Sequence, residues 1–134
     1  MKILFDNLET EKFFYNALCN GLNYLSQYGC EIDYTKKDYM DAKKRLEKNP
    51  SLMFDNHTIC YEDVLIEILR GGKTITCKDN ENGLDDSIIN LKDVHERMEM
   101  TPLRHLMDMY NEIDDADTAD AILQTIFYKD VIFG

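Results

Sequence analysis

The chain has no CxxC pair, no run of about 18 apolar residues, no internal repeat, and no lysine or arginine between Arg104 and Lys129. Each absence excludes something. Without a long apolar run, no helix is expected to span a membrane. The opening stretch turns acidic after Phe5 and lacks both the apolar length and the small-residue cleavage site of a secretory signal. A cytoplasmic location is therefore expected. The four cysteines, Cys19, Cys30, Cys60 and Cys77, have the spacing of neither a zinc ribbon nor a small disulfide scaffold. They are expected as buried free thiols, the usual fate of unpaired cysteine.

The shortage of bases is uneven. Residues 1–78 hold 12 acids against 11 bases, a balance of −1, while residues 79–134 hold 14 acids against 4 bases, a balance of −10. Phosphate contacts need clustered lysine and arginine, so direct nucleic-acid binding is not expected. A strongly acidic half favours basic partners, or serves only to keep the protein in solution. Lysine outnumbers arginine eleven to four, a usage similar to that of AT-rich bacterial and phage genomes.

What is present is helical periodicity. At 134 residues the chain is read as one domain, 1–134, with enough length for a real core. Phe14, Ala17, Leu18, Gly21, Leu22 and Leu25 follow one helix face and end near Gly29, with Asp6, Asn7 or Thr10 as the cap. Gly21 lies on that face, where its missing side chain lets another element approach. Thr35 and Asp38 open a second helix with the chain's only basic run, Lys36 to Lys48, which Pro50 ends. Tyr61, Val64, Leu65, Ile68 and Leu69 mark a third, closed by Gly71 and Gly72. Lys2–Phe5 is expected as an edge strand or packed arm, Ile32–Tyr34 as a link, and residues 49–58 as a loop that leaves His57 solvated.

The period then changes. Thr74–Cys77 alternates and Ser87–Leu91 forms a second short run, which together predict a β-hairpin over about 73–91. A lone hairpin is marginal, so a third strand is expected, supplied by Val131–Phe133. A short helix is expected from Asp93. Thr101 and Pro102 open the next, with Leu103, Leu106, Met107, Tyr110 and Ile113 on its apolar face and Met109 off it. Ala119, Ile122, Leu123, Ile126 and Phe127 define the last, capped by Asp117 and Thr118. The fold expected is α+β, mainly α, with five or six helices around one core and a small antiparallel element.

Several motifs fail on inspection. Gly71-Gly72-Lys73-Thr74 has Glu67 where a phosphate-binding loop needs its first glycine, and follows a helix instead of a strand. His95-Glu96 lacks the second histidine of a zinc-protease helix. A calcium loop started at Asp115 puts Ala119 and Asp120 where a ligand and a glycine belong, and Asp79-Asn80-Glu81-Asn82-Gly83 brings its glycine one place early. No neighbour in the sequence activates any of the four thiols.

What survives is the acid set Asp108, Glu112, Asp114, Asp115, Asp117 and Asp120, on the outer side of the last two helices. These residues predict a non-enzymatic binding domain that docks on a basic protein surface. A phage-type inhibitor presenting carboxylates where phosphates would lie is its special case. One alternative is a structural subunit that self-associates through tyrosine and methionine faces. The other is a small metal enzyme using His105, Asp108 and Glu112, spaced i, i+3 and i+7. No catalytic residue, cofactor or metal is assigned.

Overall fold

The computed structural model describes residues 5–55 and 57–133. Six α-helices run in the order α1 (Asn7–Gln27), α2 (Lys36–Lys48), α3 (Tyr61–Arg70), α4 (Leu91–Arg97), α5 (Leu103–Tyr110) and α6 (Ala116–Tyr128). Three strands accompany them: β1 (Cys30–Asp33), β2 (Ile75–Asp79) and β3 (Ser87–Ile89). The architecture is α+β and mainly α, as the periodicities predict.

α1 is the spine. It starts at a reciprocal cap, in which the Glu9 amide donates to the Asp6 carboxylate at 2.7 Å and the Asp6 amide to the Glu9 carboxylate at 3.4 Å. Two orphan amides of the first turn are satisfied in this way. The buried side of α1 carries Phe14, Leu18 and Leu25, each about 1% exposed or less. Burying side chains of this size is worth about 1.5–3 kcal/mol each. α1 packs on α6, α3 and α4. The closest approach is at Gly21, where an added Cβ would sit 3.0 Å from Leu123 Cδ1 and 3.1 Å from the Ala119 carbonyl carbon. Of the expected N-terminal arm, residues 2–4 lie outside the described residues, and Phe5 meets the Phe13 ring edge-on at 5.0 Å.

The sheet has the order β1-β2-β3 and is antiparallel throughout. Its third strand is β1 and not the C-terminal tail. Cys30 to Asp33, which overlaps the link expected at Ile32–Tyr34, pairs with β2 in the register Cys30↔Asp79 to Asp33↔Thr76. The tail cannot add to the sheet because its amides go elsewhere. Gln124 Oε1 accepts the amides of both Ile132 and Phe133 at 2.8 Å, and the Phe133 ring stacks on Tyr28 at 4.7 Å. The tail is thus folded back onto α6.

Two further expectations are corrected. Only Cys30 and Cys77 are buried; Cys19 and Cys60 are exposed. Cys19 directly follows Leu18, about 100° round the helix from the apolar stripe, and Cys60 is the N-cap residue of α3. In α5 the buried pair is Leu106 and Met109, whereas Leu103, Tyr110 and Ile113 are exposed. The helix ends at Tyr110, and Glu112 enters the left-handed region at φ 59°, so Ile113 no longer continues the helical period.

Candidate functional site

α5, α6 and the returning tail enclose an open cleft of about 450 Å³. α5 lends Arg104, His105 and Asp108. The N-terminal turns of α6 lend Asp115, Asp117, Thr118, Asp120 and Ala121, and the tail closes one side with Val131 and Phe133. Four of the six predicted acids, Asp108, Asp115, Asp117 and Asp120, therefore share one concavity. Glu112 does not. It lines a separate depression with Glu9, Lys12 and Tyr110, because the chain turns at its positive φ. Asp114 sits half-buried in the α5–α6 connection and does not line the cleft.

The four cleft carboxylates differ in what they do for the fold. Asp115 is the N-cap of α6 and replaces the expected Asp117–Thr118 cap. Its carboxylate accepts the Thr118 amide at 3.0 Å and the Thr118 hydroxyl at 3.2 Å. The amide holds its pKa below the usual carboxylate value, with the hydroxyl adding to the effect. Asp120 accepts the Tyr28 hydroxyl at 2.7 Å and the Gln124 amide nitrogen at 2.9 Å. Burial, and then this bond to Asp120, push the Tyr28 phenol up to about 12. Asp108 and Asp117 carry no such duty: no described residue offers their carboxylates a hydrogen bond or an ion pair. His105 is turned to Thr118, with Nδ1 3.2 Å from its hydroxyl.

Carboxylates elsewhere are treated differently. Glu11, on the buried side of α1, accepts Arg70 Nε and bonds His95 Nε2, each at 2.8 Å. Glu67 accepts Arg45 Nε at 2.8 Å and lies 3.9 Å from Arg70. Arg70 also covers the Phe54 ring, 4.9 Å from its centroid. The network links α1, α2, α3 and α4. Sequence reading missed it, although Glu11 with Phe14 and Leu18 (i, i+3, i+7) placed an acid on an apolar stripe.

The metal face on α5 that the alternative reading requires is not assembled. His105 and Asp108 line the acidic cleft while Glu112 lines the other depression, and among the described residues these three do not reach metal-ligating range of one another. No helix is long and apolar enough to cross a membrane among the described residues. Comparison of the chain with protein-family models, with curated proteins and with solved structures gives no match.

Proposed function

We propose that the protein is a binding module whose acidic cleft receives a lysine- or arginine-bearing segment of a basic partner protein. The observation that carries this reading is the convergence of Asp108, Asp115, Asp117 and Asp120 on one cleft of about 450 Å³ with Arg104 as its only lysine or arginine. That volume is within the range of sites that take ligands. Asp108 and Asp117 supply carboxylates that no described residue pairs with. The lining also holds Ala121, Val131 and Phe133. Lysine and arginine carry long apolar stems below a charged head, so a wall of this mixed kind matches both parts of the side chain. Tyr110 and Leu103 on α5 are exposed and add apolar area for the rest of a partner.

The experiment is a calorimetric titration of the full chain with an arginine-rich peptide, against the Asp108→Asn/Asp117→Asn double variant. Loss of two charge-assisted contacts should weaken binding by about tenfold or more. Affinity should also fall as salt rises. Equal affinity for both proteins would remove the reading.

Self-association is the second reading, favoured by the exposure of Met100, Leu103, Tyr110 and Ile113. Sedimentation of Leu103→Ser beside the parent separates it: a dimer that the substitution dissolves supports it, and a monomer at high concentration excludes it.

A further inference from the structure

A second cluster lies on α3 and the loop before it, apart from the acidic cleft. His57, Cys60 and Asp63 bring an imidazole nitrogen, a thiol sulfur and a carboxylate oxygen within 4.8 Å of one another. The three are spaced i, i+3 and i+6. The loop after the Pro50–Leu52 turn delivers His57, Cys60 is the N-cap of α3, and Asp63 lies in its first turn. All three come from one short segment, so gathering them costs little loop entropy.

The carboxylate is the informative member. The Asp63 side chain is 2% exposed, and its Oδ2 takes the His57 ring nitrogen and the Cys60 amide at 2.8 Å each. The other two buried carboxylates, Glu11 and Glu67, are each bonded to an arginine. No lysine or arginine among the described residues pairs with Asp63. A buried carboxylate is costly without a compensating cation. The groups beside it are an imidazole and a thiol, both established ligand types for zinc. Cys60 is exposed, so the cluster opens to solvent on one side.

Thiol catalysis fits less well. The Cys60 thiol donates to the Thr58 carbonyl at 3.3 Å, and the imidazole nitrogen in use faces Asp63. The crevice beside Asp63, between Tyr15, Phe54 and Arg70, has no room for even a water-sized group. A substrate would need such space, whereas a metal ion does not.

We propose that His57, Cys60 and Asp63 form a binding site for a divalent zinc ion, with the fourth position open to solvent. Three protein ligands and one water complete a tetrahedral zinc shell. His57 Nε2 and Asp63 Oδ2 already lie 2.8 Å apart and separate slightly around the ion, while Cys60 Sγ, within 4.8 Å of both, moves in to bonding distance. On binding, Cys60 coordinates as thiolate and releases its thiol proton to solvent, so affinity falls as the solution is acidified. The bound ion ties the loop to the start of α3 and sets a fixed positive charge beside the buried Asp63 carboxylate.

Cobalt(II) titration of the full metal-free chain tests this, because a thiolate bound to cobalt gives a near-ultraviolet charge-transfer absorption. The band should saturate at one equivalent and be displaced by zinc. Cys60→Ser should abolish it, and His57→Gln should weaken cobalt binding at least about tenfold. Both positions lie outside the core, and an unchanged far-ultraviolet circular dichroism spectrum would verify the fold of each variant. Cys19→Ser should keep the band, since Cys19 is the other exposed thiol. Asp108→Asn/Asp117→Asn should keep it too, which separates this site from the acidic cleft. Absence of the band in the parent chain, or its loss in Cys19→Ser with retention in Cys60→Ser, would overturn the proposal.

Discussion

Glu11 and Glu67 on one side, and Asp108 and Asp117 on the other, are the same functional group in opposite settings. The glutamates are buried, and each meets an arginine at 2.8 Å. The aspartates border an open cleft, and no described residue forms an ion pair with them. Where charge holds the fold together, this chain supplies the counter-charge internally and ties four helices with it. At the cleft the only counter-charge among the described lining residues is Arg104, which forms no ion pair with the four acids, so much of the field of those carboxylates is available to something outside the chain. The overall charge of −11 therefore divides into a part the fold uses and a part it leaves over.

The largest effect should come from breaking the buried set. Arg70 bonds Glu11 at 2.8 Å, lies 3.9 Å from Glu67 and is itself 19% exposed, so Arg70→Ala takes the arginine from buried Glu11 and leaves Glu67 with Arg45 alone. Removing one partner of a buried pair costs about 3–5 kcal/mol, and urea unfolding should read a loss of that size. In the same assay Asp108→Asn/Asp117→Asn should stay within about 0.5 kcal/mol of the parent, as surface changes do. If the double variant lost as much stability as Arg70→Ala, the division drawn here would collapse.

Asp115 sharpens the comparison because it belongs to both classes. It lines the cleft, yet its carboxylate caps α6. Asp115→Ala should lower the melting temperature by less than Arg70→Ala but more than Asp117→Ala, since only Asp115 satisfies an orphan helix amide. Its folded pKa lies below the ordinary 3.8, so the unfolded chain binds the proton more readily. The stabilisation is therefore complete above that ordinary value and fades as the pH falls through the folded value. Thermal melts at pH 5 and pH 3 should show the parent losing more than Asp115→Asn. An identical acid slope in both proteins would mean that the cap carries no linked stability.

How far all of this can be read from the residues depends on the range of the interaction. α1, α3 and α6 announce themselves because their buried residues recur at helical spacing. The β2–β3 hairpin is legible from its threonines and its polar turn. β1 is not: only Cys30 and Ile32 alternate with acids there, and pairing with β2 is what makes the segment a strand. The stripe on α5 misleads because its spacing runs on through Ile113, past a helix that ends at Tyr110. Four cleft acids could be grouped in advance since they lie on or beside two neighbouring helices. Glu112 escaped the group through one backbone angle. His57 read as solvated, and only the folded loop brings it 2.8 Å from Asp63. The spacing of His57, Cys60 and Asp63 was the available signal, but no standard motif carries it.

The central claim is that the unneutralised acids act from one place. Backbone amide shifts in a nuclear magnetic resonance titration with an arginine-rich peptide test this most directly. The account predicts saturable shifts concentrated on residues 104–108, 115–121 and 131–133, the segments that form the cleft. Shifts spread evenly over exposed acids elsewhere, such as Glu47, Asp85 and Asp86, would show diffuse attraction to a negative protein and contradict it.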